Sequence, residues 1–186
     1  MKILKKILIT LMVLGALFYF VGMPYLQKIT KKHSPETTTT YNFKNTELAV
    51  NYSSPSKKGR VIFGSLVPYG KVWRTGANEP TTFTNDEDIK VIDKILPAGT
   101  YSLWTVPNKE SWKIIFNKEV PDWGVTILSG GKETTRNEEE DVLQIEVPVR
   151  ELSQPIEKFT IAFEEDGQLN LSLSWDIVKV NVPLNK

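Results

Sequence analysis

The chain has 186 residues, 40% hydrophobic and 24% charged, the profile of one globular domain with an attached segment. Its 23 Lys and Arg are balanced by 22 Asp and Glu, which argues against a nucleic-acid partner. With no cysteine, a disulfide framework, a thiolate nucleophile, a Cys-ligated metal and a lipoprotein anchor are all excluded.

The N-terminus reads MKILKKILITLMVLGALFYFVGMPYLQK, in which Lys2, Lys5 and Lys6 precede an uncharged run from Ile7 to Leu26. At a rise of ~1.5 Å per residue, about 20 residues cross a hydrocarbon core of ~30 Å, so residues 1–27 are expected to form a single transmembrane helix with 7–26 in the bilayer. A cleaved signal peptide would need a shorter apolar core and a small-residue cleavage site. Ala16 lies mid-run, and Gly22 follows Phe20 and Val21, so the segment reads as an uncleaved signal-anchor. Lys28, Lys31 and Lys32 compete for orientation, and the free amine tips the count toward a cytoplasmic N-terminus. This predicts a single-pass protein of the cytoplasmic (inner) membrane with an extracytoplasmic, periplasmic domain. Residues 28–40, containing KKHSPETTTT, read as a polar linker, in which the sole histidine, His33, is expected to be solvated.

Over 41–186 the pattern changes to short alternating runs divided by Gly, Pro, Asn and Asp, an all-β signature. Weaker runs lie at Leu48 to Tyr52, Arg60 to Phe63, Ile89 to Ile95 and Tyr101 to Val106. Better ones follow at Trp112, Ile114 and Phe116, and at Leu143, Ile145, Val147 and Val149, where Pro148 suggests an edge strand. In FTIAFEEDGQLNLSLSWDI the alternation on both sides of Asp166-Gly167 predicts a hairpin with a type I′ turn, with Asn170, Ser172, Ser174 and Asp176 on its polar face. The apolar parity slips after Ile177, which predicts a β-bulge or a strand changing sheets. Each strand has an apolar face that needs a partner layer, so the expected fold is an antiparallel β-sandwich, jelly-roll-like.

The stretches YSSPSKKGRVIFGSLVPYGKVWRTGANEPTTF, LPAGTYSLWTVP, WKIIFNK and DWG together resemble the bacterial family Domain of Unknown Function 2911. The resemblance runs from about Leu48 to the C-terminus and implies an exported, uncharacterised sandwich without assigned activity. Where members of that family continue after WG with a tyrosine- and aspartate-bearing segment, this chain has VTILSGGKETTRNEEED. A pocket lined by that segment would be altered here.

The candidate site is the 68–83 loop, PYGKVWRTGANEPTTF. Gly70, Gly76 and Asn78 tolerate left-handed backbone, and extended backbone at Trp73 and Arg74 would set the indole on the core and the guanidinium toward a cleft. Arg74 suits a carboxylate or phosphate, Asn78 offers donor and acceptor, and Glu79 offers a base. Arg60 and Tyr69 complete the ligand-binding candidates, with Arg74, Asn78 and an aromatic ring expected to share a partly exposed concave surface. A structural alternative pairs Arg74 with Glu79 and leaves Asn78 as a turn residue. Tyr101, Trp104, Trp112 and Trp123 are either a stacking platform or core, and NEEED is either a solvated loop or a calcium site. No Walker loop, H-E-x-x-H or G-x-S-x-G is present, and no cofactor or metal is expected. Two classes of function fit these residues. The first is a membrane-tethered binding or envelope-associated module for an unidentified small molecule, glycan or protein. The second is an envelope hydrolase or lyase, with Glu79 as general base and Arg74 steadying an anionic substrate.

Overall fold

A computed structural model describes residues 2–126, 129–131 and 133–186, so Ile127, Leu128 and Lys132 of the segment after WG lie outside the described residues. Helix α1 (Lys2–Leu17), a π turn (Phe18–Gly22) and α2 (Met23–His33) run together as one helix of 32 residues, long and apolar enough to cross a membrane. The π turn falls just before Pro24, whose missing N–H interrupts the ordinary ladder. The residues up to His33 form one compact unit and Ser34–Lys186 another.

The second unit is the expected antiparallel β structure. Its strands are β1 (Glu36–Phe43), β2 (Thr46–Ser53), β3 (Thr81–Asn85), β4 (Ile89–Val91), β5 (Lys94–Leu96), β6 (Gly99–Pro107), β7 (Ser111–Asn117), β8 (Asp141–Glu165) and β9 (Leu169–Asn185). They pair in the order β1-β2-β3-β6-β7-β8-β9-β4-β5. The polar tract 28–40 is therefore not one extended linker. Its first residues continue α2, and the threonines enter β1, where β-branched side chains favour pairing with β2. The run at Arg60 to Phe63 is loop rather than strand.

Strand β8 makes the sandwich. Up to Pro148 it pairs with β7, and from Val149 it pairs with β9. Pro148 thus marks a change of partner and not a sheet edge; its missing N–H is tolerated because the β7 ladder ends there. Past the bend, β8 returns over β1 and β2. Phe159 N–H donates to Pro55 O at 2.9 Å, Thr39 Oγ1 donates to Ile161 O at 3.2 Å, and Tyr41 lies 5.7 Å from Phe163.

Strand β9 bends in the same way. Ser172 Oγ donates to Asn181 Oδ1 at 2.8 Å, although nine residues of straight strand would separate them by ~30 Å. The fold-back is at Asp176, where φ is +54° and the carboxylate holds Lys57 at 2.5 Å. This is the predicted parity slip. It also buries Ser172 and Ser174, which the sequence placed on a polar face. The hairpin at Asp166-Gly167 is present, but only Gly167 has positive φ, so its loop is not type I′.

Between the layers lies one core. Leu48, Val50, Phe83, Leu103, Ile114, Phe116 and Ile145 meet Phe159, Ile161, Leu171, Leu173, Trp175, Val180 and Val182. Trp104 and Ile115 point to the opposite face of β6 and β7 yet are also buried, so that face carries a cover. The segment following β7 crosses it, because Ser102 Oγ donates to Glu119 O at 2.6 Å and itself accepts from Trp104 Nε1 at 2.7 Å.

A chain cut at Tyr41 loses the β1 residues paired with Ala49 to Ser53 and the Ser34 carbonyl that accepts from Asn78. A chain beginning at Ser34 should therefore be more stable than one beginning at Tyr41 by about 2 kcal/mol or more in urea titrations.

Candidate functional site

The 68–83 segment divides into two parts with different tasks. In the first, Tyr69 is exposed and its ring lies over Gly64, where an added Cβ would sit 2.7 Å from Tyr69 Cε2. Arg60 is exposed and folds onto its own backbone, donating to Lys57 O at 3.0 Å and Ser56 O at 2.6 Å. No hydrogen bond, ion pair or ring contact joins either residue to Arg74 among the described residues.

The second part, Trp73 to Thr81, is pinned at several points. Trp73 exchanges backbone hydrogen bonds with Thr105 of β6 at 2.7 and 3.0 Å, and its indole N–H donates to Gly76 O at 3.0 Å. Its ring stacks on Trp175 at 6.1 Å and meets Phe159 at 4.9 Å and Trp112 at 6.1 Å. Thr75 is buried at φ +56°, a conformation that β-branched residues rarely adopt. It is held there by Thr105 Oγ1 at 3.2 Å and by the Thr81 hydroxyl, which donates to Thr75 O at 2.5 Å. At Gly76 (φ +150°) an added Cβ would stand 2.9 Å from Ser53 O, so only glycine fits against β2.

Asn78 is a corner rather than an exposed ligand. It is 5% exposed at φ +60°, its Nδ2 donates to Ser53 Oγ and Ser34 O at 3.3 Å each, and its carbonyl accepts from Gly124 N–H at 3.2 Å. The expected shared surface of Arg74 and Asn78 is corrected accordingly. Glu79 is half-buried and already has a partner.

Arg74 behaves differently. Its Nε is buried without a hydrogen-bond partner, and its side chain makes no ion pair among the described residues. Arg74 as a whole is half-buried. Burial draws the guanidinium below its ordinary pKa, and no carboxylate among the described residues restores it. Gly124 lies across the stem: an added Cβ there would stand 2.9 Å from Arg74 Cβ and closer still to Cδ. Gly124 belongs to the DWG motif, and its role was invisible until the segment after β7 was seen to return over Arg74.

That cover is fastened at its far end by groups the sequence did not single out. Thr135 Oγ1 donates to Trp123 O at 2.5 Å, and Arg136 donates to both oxygens of Asp141, at 3.0 and 2.7 Å. Asn117 and Gln144 also donate to Asp141, and the Arg136 and Asp141 side chains are only 6% and 8% exposed. Burial alone would raise the Asp141 pKa, but its bonds to Arg136, Asn117 and Gln144 together hold it below the ordinary carboxylate value. The NEEED run is thus a 3-10 turn (Glu138–Glu140) capped by Asn137 and followed by a committed carboxylate. No cluster of three potential ligands that could hold a metal occurs among the described residues. The aromatic platform dissolves as well. Tyr101 and Trp112 are in the main core, Trp104 is buried on the opposite face, and Trp123 is half-buried.

Residues 34–184 match the family described as "Protein of unknown function (DUF2911)". No curated protein and no solved structure gives a significant match.

Two outcomes follow from the cover. Asp141 has a depressed folded-state pKa, so its contribution is complete above the unfolded value of about 3.9 and is lost as pH falls through the lower folded value. Asp141→Asn should cost about 3 kcal/mol at neutral pH and flatten the loss of stability below about pH 4, read by urea titration across pH. Gly124→Ala should cost about 1–3 kcal/mol, most of it recovered in an Arg74→Ala background, as a double-mutant cycle would show.

Proposed function

The chain belongs to the DUF2911 family, and for it we propose a binding module of the bacterial envelope that captures an anionic group on Arg74. In this reading the N-terminal helix is an uncleaved anchor in the inner membrane and the β unit works on its extracytoplasmic side. The leading lysines with the free amine, and a helix long and apolar enough to cross a membrane, support that address.

One observation carries the binding reading: a half-buried guanidinium whose Nε has no hydrogen-bond partner and which has no counter-charge among the described residues. A structural arginine at this depth would be paired, because burying an uncompensated charge costs several kcal/mol. A planar guanidinium fork matches a carboxylate or phosphate in bidentate fashion. The setting favours precision, with Trp73 fixing one side of Arg74 in the core and Thr75 held in strained backbone on the other. The segment that departs from the family pattern begins at Val125, next to the glycine lying over Arg74, so ligand selectivity is expected to differ between this chain and its relatives. Nothing favours the hydrolase or lyase reading, since Asp141 is committed to Arg136, Asp122 is exposed, and no contact brings Glu140 to Glu79 among the described residues.

Arg74→Met tests the reading because it keeps the volume of the stem while removing the fork. Its melting temperature should equal or exceed that of the wild type. Carboxylates, phosphates or acidic glycans that raise the wild-type melt should have no effect on the variant, and Arg74→Lys should bind at least about tenfold more weakly. A loss of about 3–5 kcal/mol in Arg74→Met, with no anion raising the wild-type melt, would return Arg74 to a structural role.

A further inference from the structure

From Leu48 to Asn78 the chain carries Lys57, Lys58, Arg60, Lys71 and Arg74 and no acidic residue, in a protein whose total charges nearly cancel. Most of this asymmetry sits on the loop between β2 and the pinned segment. The loop is tied to itself, with Gly64 N–H donating to Val67 O at 2.8 Å, Val67 N–H to Ile62 O at 2.9 Å and Leu66 N–H to Val61 O at 3.3 Å. It is tied to the sandwich by Lys57 N–H to Glu157 O at 2.7 Å and Gly70 N–H to Pro107 O at 2.9 Å. Ile62 and Val67 turn inward and are buried, and Phe63 packs 5.0 Å from Trp112. Val61, Leu66 and Tyr69 turn outward at 69%, 45% and 38% exposure.

The cations around these apolar groups are mostly uncompensated. Lys57 is neutralised by Asp176, whereas Lys58, Arg60 and Lys71 are exposed and form no ion pair among the described residues. Arg60 spends donors on backbone carbonyls, which leaves its charge intact. The acidic side chains on neighbouring elements are Glu157, which accepts from Lys58 N–H, and Glu110 in the turn after β6; Lys109 and Lys158 beside them carry the opposite sign.

We propose that this loop is a membrane-contact tip that rests on an anionic phospholipid surface, with Val61, Leu66 and Tyr69 entering the headgroup boundary and Lys58, Arg60 and Lys71 meeting lipid phosphates. Apolar and aromatic groups ringed by cations are the composition of an interfacial contact. A nucleic acid would find the same charges interrupted by aliphatic side chains with no base or sugar to meet. A loop this well tied gives up little conformational entropy on docking. The helix at the N-terminus, read as an anchor, keeps the bilayer at high effective concentration, so a modest contact suffices. The inference does not require a ligand on Arg74.

The lack of cysteine permits single-site labelling of the full chain. A polarity-sensitive fluorophore on Ser65→Cys reports the tip, and one on Asp93→Cys, in the exposed turn between β4 and β5, reports a distant surface. The apolar helix is retained in every sample, and flotation confirms that it holds the protein on the vesicles. In vesicles of phosphatidylcholine with about one third phosphatidylglycerol, the Ser65→Cys label should shift to the blue, be quenched by lipid-borne quencher and lose most of its access to iodide. The Asp93→Cys label should do none of these. Neutral vesicles, or the Lys58→Glu/Arg60→Glu/Lys71→Glu variant, should lower the protected fraction by about tenfold or more. A Ser65→Cys label as open to iodide as the Asp93→Cys label in anionic vesicles overturns the proposal, as does protection that survives charge reversal.

Discussion

The fold turns on Trp73. Its indole lies between Trp112 of one layer and Trp175 and Phe159 of the other, with Phe63 at 6.3 Å closing the group. Ring contacts of this kind contribute about 0.5–1.5 kcal/mol each beyond the area they bury. The residue belongs to neither layer, because it comes from a loop that makes only a single bridge to β6. The loop thereby becomes part of the core, and its backbone has to follow the indole. Local alternation then sends Arg74 the opposite way, under Gly124, where its stem is covered and its Nε is stripped of water. The unpaired cation is thus a consequence of how the core is closed.

A segment forced into this path pays in backbone strain. Thr75 and Asn78 both have positive φ, and Gly76 runs so close to β2 that no side chain fits. Offsetting this is a dense set of hydrogen bonds, since Ser53 receives from both Ala77 and Asn78, Thr105 from Thr75, and Thr75 O from Thr81. All of these residues except half-buried Ala77 are buried. Among the buried side-chain polar atoms of the segment, Arg74 Nε alone lacks a hydrogen-bond partner among the described residues.

Period-two alternation made β2, β6, β7, β8 and β9 legible, because each has one face in the core. It did not find β1 or β3. Those strands are runs of threonine with few apolar residues, and their pairing is decided by neighbours that only the fold supplies. It did not distinguish Pro148 at a change of partner from Pro148 at an edge, since both positions tolerate a missing N–H. In the site, the opposed directions of Trp73 and Arg74 were readable from adjacency. The burial of Asn78 was not, because it depends on Ser34 and Gly124, which lie 44 and 46 residues away in sequence. The pairing of Arg136 with Asp141 hides inside an acidic run in which Glu138 and Glu139 face water.

This last pair ties the cover to the rest of the fold. The cover over Trp104, Ile115 and Arg74 is held at one end by Ser102 and Glu119, at its crossing by Gly124 and Asn78, and at the other end by Asp141 with Arg136 and Asn117. Asp141 is the first residue of β8, so the ion pair couples the cover to the strand that joins the two layers. Between Gly124 and Arg136 the described residues bond mainly to one another, with Thr126 N–H donating to Glu133 O at 2.9 Å and Thr135 N–H to Gly124 O at 3.4 Å. Arg74 lies beneath the crossing, so the position of the guanidinium is set by the same contacts that tie the cover to both layers.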